Sequence, residues 1–126
     1  MKNVTILAQS EAVRVDADKL EALYAQLGDV SAEDIVCRAM EELAVKLAQS
    51  ERLYREGRRA DMHKTARSIA AISEQIGMLM LARVAKQVTE CIESGDEIAL
   101  AAVLARLVRI GERSLTEIWE LQDLSI

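Results

Sequence analysis

Residues 57–95 read GRRADMHKTARSIAAISEQIGMLMLARVAKQVTECIESG, with a glycine at each end and a third at position 77. After the first glycine, apolar or small residues recur at intervals of three and four, which is the spacing of one helix face. They are Met62, Ala66, Ile69, Ser73 and Ile76. A second such run follows with Leu81, Val84, Ala85, Val88 and Ile92. The pattern predicts two helices and leaves open whether Gly77 breaks or only bends the path between them.

The same period continues on both sides of this stretch. Residues 16–27 have apolar residues at helical spacing and are followed by Gly28, a typical helix C-cap. The tetrapeptide SAED at 31–34 resembles a capping box and predicts a helix that runs to about Glu56. Beyond the Gly95-Asp96 turn, a last helix is predicted over about 98–121. For residues 1–14 we expect a short packed arm or a partial helix.

Composition limits the fold class. The chain has 126 residues, which is enough for one domain, with no proline and five glycines. So few turn-forming residues disfavour a sandwich or barrel of many short strands. We therefore predict an all-α domain over 1–126, an antiparallel up-down four-helix bundle with a short additional N-terminal helix across one end.

The sequence favours a cytoplasmic protein without a membrane span. Its apolar runs are short, and the N-terminal residues are a poor match to a secretory signal. Cys37 and Cys91 lie in helical patterns without metal-ligand spacing, so we interpret them as reduced core thiols.

Enzyme motifs are missing from the sequence. It has no glycine-rich phosphate loop, no G-x-S-x-G and no H-E-x-x-H, and His63 is its single histidine. We therefore expect no metal site, no cofactor and no classical enzyme active site.

Charge is unevenly distributed along the chain. Residues 52–67 hold six basic and two acidic residues, a local net charge of +4, whereas the rest of the chain carries −9. This basic segment, which includes Arg59, Lys64 and Arg67, is either a solvated surface or a docking patch for an acidic partner or phosphate. The overall acidity disfavours nucleic acid as a partner.

His63 lies in the basic segment, about 100° around the helix from the apolar face. Arg67, Ala70 and Glu74 follow it on the same flank at intervals of four, three and four. The position fits either an ordinary histidine at the border of core and solvent or a functional one.

The order of the helical blocks and turns resembles the histidine-containing phosphotransfer (Hpt) domain of bacterial phosphorelays. The resemblance covers about residues 15–115, with Leu27-Gly28-Asp29, the YREG turn at 54–57 and the ESGD turn at 93–96 in the places of the family's turns. It implies a four-helix bundle, a phosphorylatable histidine on the helix after the second turn, and a receiver domain or histidine kinase as partner.

The sequence departs from that family at its functional centre. Counting ten residues back from Gly77 and ten forward from Gly57 both give Arg67 at the place of the phosphate-accepting histidine. Ala70 and Ala71 then stand where the family has lysine and glycine, and His63 lies one turn earlier. A guanidinium stays protonated and has no lone pair for attack on phosphorus.

These observations leave three hypotheses for the function. In the first, His63 accepts the phosphoryl group while Arg67 holds the phosphate. In the second, a degenerate protein docks the receiver or kinase without phosphotransfer, through Arg67 with Lys64, Arg59, Ala70, Ala71 and Glu74 around it. In the third, the chain is a helical-bundle adaptor or dimerisation module without a phosphorelay role. A homodimer is one possible assembly, and Trp119 is either a core cap or an anchor of a dimer interface.

Overall fold

The computed structural model describes residues 16–124, and within them the chain forms five helices. The predicted arm at 1–14 lies outside the described residues. The helices are α1 (Ala17–Leu27), α2 (Asp29–Arg55), α3 (Arg59–Gln75), α4 (Leu79–Ser94) and α5 (Glu97–Leu124). None of these helices combines the length and the apolar character needed to cross a membrane.

Short turns connect the four long helices α2, α3, α4 and α5 in chain order, so consecutive helices run antiparallel. Each of these helices packs against its two neighbours in a ring, with α5 closing back onto α2, and within the described residues no helix contacts the one diagonally opposite. The shorter α1 packs on α2. This arrangement confirms the predicted all-α, up-down four-helix bundle with a short additional N-terminal helix.

The core consists of aliphatic side chains, as the period predicts. On α3 and its C-terminal turn, all five positions of the predicted stripe are buried. On α4 the stripe is buried up to Val88, whereas Ile92 is half-buried at the helix end. The burial of one continuous stripe on each helix supplies the hydrophobic free energy that joins the four helices.

Gly77 breaks the path between α3 and α4, which settles the question that the sequence left open. Its φ of +79° is a conformation that L side chains rarely adopt. A Cβ at this position would also lie 2.9 Å from the carbonyl oxygen of Asp16. The carbonyl of Gly77 accepts a hydrogen bond of 2.7 Å from the Asp16 amide, so this turn holds the start of α1 against the end of the bundle.

The structure corrects the predicted start of α2 and the burial of the two cysteines, and it decides between the alternatives for Trp119. Residues 31–34 do not cap α2, because Gly28, with φ of 86°, redirects the chain at once and α2 begins at Asp29 without a side-chain cap. Cys37 and Cys91 are free but only half-buried, at the border of the core. Trp119 is 58% exposed, which excludes a core cap.

Candidate functional site

The outer surface between α3 and α4 forms a groove of about 370 Å³, here called the α3–α4 groove. Five of the predicted site residues line it from α3. They are His63, Arg67, Ala70, Ala71 and Glu74. Intervals of three and four along the helix put them on one face. From α4, Lys86, Thr89 and Glu93 form the opposite wall.

His63 lies at the border of core and solvent, as its angle predicts, with its side chain 25% exposed. Its Nε2 lies 2.7 Å from Oε2 of Glu93. A carboxylate can only accept, so Nε2 is the donor and carries the hydrogen. With this bond in place, Nε2 has no free lone pair.

At the other end of the groove, the Lys86 ammonium binds the Glu74 carboxylate. The hydrogen bond from Lys86, followed by its charge, lowers the pKa of Glu74 below its usual value. Two acid–base pairs thus bridge α3 to α4, one at each end of the groove.

Arg67 lies between these two pairs and is exposed to solvent. Among the described residues its guanidinium has no ion pair or hydrogen bond. The register of the α3–α4 hairpin explains this. His63 and Glu93 are equidistant from Met78 in the chain, and the corresponding position for Arg67 is Thr89, which has no charge. The Thr89 hydroxyl instead donates to the carbonyl of Lys86 at 2.6 Å.

The floor of the groove is made of small side chains. Ala70 is buried and Ala71 is exposed next to it. Because neither side chain extends beyond Cβ, the surface beside Arg67 is low enough for a partner to approach the helix backbone.

The remaining two predicted residues lie elsewhere. Lys64 is exposed outside the groove lining. Arg59 is bound within the protein: its Nε and Nη2 donate to Glu97 at 3.1 and 2.7 Å, and Nη1 donates to the Tyr54 carbonyl at 3.0 Å. Its guanidinium also lies 4.6 Å from the centre of the Tyr54 ring. Arg59 thus links the ends of α2, α3 and α5, and the hydrogen bond to Arg59 lowers the pKa of Glu97.

The α4 wall was not predicted from the sequence. Lys86, Thr89 and Glu93 follow each other at intervals of three and four, and the latter two are paired with Arg67 and His63 by their equal distance from the turn. Folding the sequence back at Met78 would have found Thr89 and Glu93.

A scan of the chain against protein-family models gives no match, and searches of curated proteins and of solved structures give none either. The family of the chain is therefore not shown, and its architecture is that of an all-helical protein with five helices in residues 16–124.

Proposed function

We propose that this protein is an Hpt-like signalling protein that docks the receiver domain of a response regulator, or a histidine kinase, through the α3–α4 groove without carrying phosphate. The observation that carries the proposal is the exposed Arg67 guanidinium, which has no partner among the described residues and stands where the resemblance places the phosphate-accepting histidine.

The charges around Arg67 support a role in docking. Glu74 is paired with Lys86, and Glu93 accepts a hydrogen bond from His63, so both carboxylates that line the groove are engaged within it. Lys64 is exposed on the same helix and adds positive potential. An acidic partner, such as the aspartate pocket that the resemblance implies for a receiver, would meet the exposed guanidinium of Arg67 and the ammonium of Lys64.

The small floor supports the same face as the contact surface. A receiver that approaches Arg67 passes over Ala70 and Ala71, and neither obstructs a close approach of the two backbones. Large side chains at these positions would hold the partner away from α3.

The bond from His63 to Glu93 favours docking without phosphotransfer. Attack on an aspartyl phosphate requires a free imidazole lone pair aligned with phosphorus. Nε2 donates to Glu93, so only Nδ1 of a neutral His63 keeps a lone pair. The resemblance centres a receiver on Arg67, one turn or about 6 Å further along α3, and not on His63.

Receiver binding tests the proposal. Purified receiver domains, with and without the phosphate analogue beryllium trifluoride, are titrated by calorimetry against the wild type and three variants. We expect Arg67→Glu to raise Kd by about tenfold or more, because it replaces attraction with repulsion. Thr89→Glu should have a similar effect, since it supplies Arg67 with an intramolecular partner.

Arg113→Glu is the matched control. It makes the same charge change at an exposed position of α5, away from the groove. If Arg67→Glu and Arg113→Glu weaken binding equally, or if no receiver or kinase binds the wild type, the docking proposal fails and the adaptor or dimerisation reading replaces it.

Intact-mass measurement after incubation with phosphorylated receivers tests whether the protein accepts a phosphoryl group. We expect no added phosphate. An acid-labile phosphate that disappears in His63→Gln would contradict this and identify the protein as a phosphate carrier through His63.

A further inference from the structure

A second groove lies on the opposite side of the bundle, between α2 and α5. It has a volume of about 400 Å³ and is here called the α2–α5 groove. Its lining is mostly apolar or small. The lining residues are Cys37, Met40, Glu41, Ala44, Leu115 and Trp119.

Trp119 is the main exposed feature of this groove. It is the single tryptophan of the chain, and more than half of its surface is in contact with solvent. Met40 and Leu115 pack partly on the core beneath it. A large exposed aromatic side chain beside half-buried aliphatic ones is typical of the anchor point of a protein interface.

The rims of the groove are acidic. On α2, the positions that share the groove-facing flank follow at intervals of three and four and include Glu33 and Glu41. On α5 the corresponding series is Val108, Glu112, Leu115 and Trp119. Two arginines lie next to these flanks, Arg38 three residues before Glu41 and Arg109 three residues before Glu112, and Arg38 is paired with Asp34. Neither Glu41 nor Glu112 has an ion pair with another described residue.

We infer that the α2–α5 groove binds an amphipathic helix of another protein that has an apolar stripe with basic residues on both sides. The groove runs between two antiparallel helices, and a third helix packs into such a groove through side chains at three- and four-residue spacing. The apolar stripe would cover Trp119 and Leu115, and the basic flanks would meet Glu41 and Glu112.

Charge argues against a second copy as the occupant. In a two-fold symmetric dimer through this face, Glu41 and Glu112 of one copy would meet the same acidic residues of the other, and each copy carries a net charge of −5. The partner that complements the rim is basic.

Trp119 fluorescence gives a direct test, because its emission moves to shorter wavelength when the indole is buried. The probe is a synthetic helical peptide with leucines at three- and four-residue spacing and lysines on both flanks. A second peptide has glutamates in place of the lysines. We expect saturable binding with a blue shift for the lysine peptide, and binding at least about tenfold weaker for the glutamate peptide.

Variants of the groove wall locate the binding site. Ala44→Gln fills the groove from an exposed position of α2 and should raise Kd for the lysine peptide about tenfold. The matched control is Ala102→Gln, at an exposed position of α5 outside the groove lining, which should leave Kd unchanged. Glu41→Gln should weaken binding less than Ala44→Gln and reduce its salt dependence.

Four results would overturn the inference: no binding of the lysine peptide, equal binding of both peptides, equal effects of Ala44→Gln and Ala102→Gln, or a concentration-dependent dimer that Ala44→Gln dissociates. The last result, seen by sedimentation, would identify a second copy as the occupant. A blue-shifted emission that is lost when residues 1–15 are deleted would identify the chain's own N-terminal segment instead.

Discussion

The α3–α4 groove and the α2–α5 groove lie between antiparallel helices around the same core, and they differ in chemistry. The first is lined by five charged or titratable side chains, four of them joined in two pairs, whereas the fifth, Arg67, has no partner among the described residues. Among the described residues that line the second, Glu41 alone is charged, and Trp119 is its largest exposed surface. Folding requires the buried stripe but places little constraint on the flanks. The flanks therefore indicate two different contacts, one electrostatic and one apolar.

The largest expected difference between the two grooves is in how closely their helices are packed. A Cβ on Gly111 of α5 would lie 2.4 Å from Cδ1 of Leu47 on α2. We expect Gly111→Leu to lower the free energy of unfolding by about 2 kcal/mol, because overpacking exceeds the gain in helix propensity. Urea denaturation followed by circular dichroism measures this.

Ala71→Leu is the matched change in the α3–α4 groove. Since Ala71 is exposed, it should alter stability by less than about 0.5 kcal/mol. Leu47→Ala combined with Gly111→Leu should be less destabilising than the sum of the single changes. Additive effects would show that α2 and α5 are not in close contact at Gly111.

A smaller change in stability should be the same for the two buried serines, one beneath each groove. Ser73 on α3 and Ser114 on α5 are fully buried, and neither hydroxyl has a hydrogen-bond partner among the described residues. We expect Ser73→Ala and Ser114→Ala each to raise the free energy of unfolding by about 1 kcal/mol, because each removes an unsatisfied polar group. Thermal denaturation checks this. Ser94→Ala, at an exposed hydroxyl that donates to the Cys91 carbonyl, should give no gain.

The smallest expected effect is a difference between the acidic residues of the two grooves in how their contribution to stability depends on pH. The pKa of Glu74 is lowered by Lys86, so the folded state binds this proton more weakly than the unfolded state. The stability that the pair contributes is present above pH 4.5, the ordinary pKa, and is lost as the pH falls through the lower folded value.

Glu74→Gln should therefore reduce the urea midpoint slightly at pH 7, and the difference from wild type should vanish in strongly acidic buffer. Glu41→Gln in the α2–α5 groove should not change the midpoint at pH 7, since Glu41 has no ion pair among the described residues. If Glu41→Gln lowered the urea midpoint at pH 7 as much as Glu74→Gln, the two carboxylates would contribute equally to stability, which would contradict the prediction.

Much of the fold could be predicted because periodicity is a local property. The stripe from Met62 to Ile76 and the ends of α4 followed from spacing and glycines alone. The start of α2 did not, because the capping pattern at Ser31 competed with the tighter turn at Gly28, and the backbone followed the glycine. Trp119 was ambiguous, since an aromatic side chain near a helix end suits either a core or an exposed site.

The site was predictable on one helix only. Spacing along α3 was sufficient to group His63, Arg67, Ala70 and Glu74 on one flank, because a helix has a fixed rotation per residue. The distance and direction of the neighbouring helix are not contained in that rotation. They depend on the backbone of the Gly77 turn and on packing across the core, such as that of the Leu47 side chain on the backbone of Gly111.

The amino-acid sequence by itself thus determined the number and buried faces of the long helices, and their limits except the start of α2, since each depends on residues within a few turns of one another. Only the tertiary structure decided that Glu93 meets His63, that the uncharged Thr89 lines the groove opposite Arg67, and that Trp119 borders a groove. These are contacts between residues on different helices, which are fixed by packing across the bundle and not by spacing along the chain.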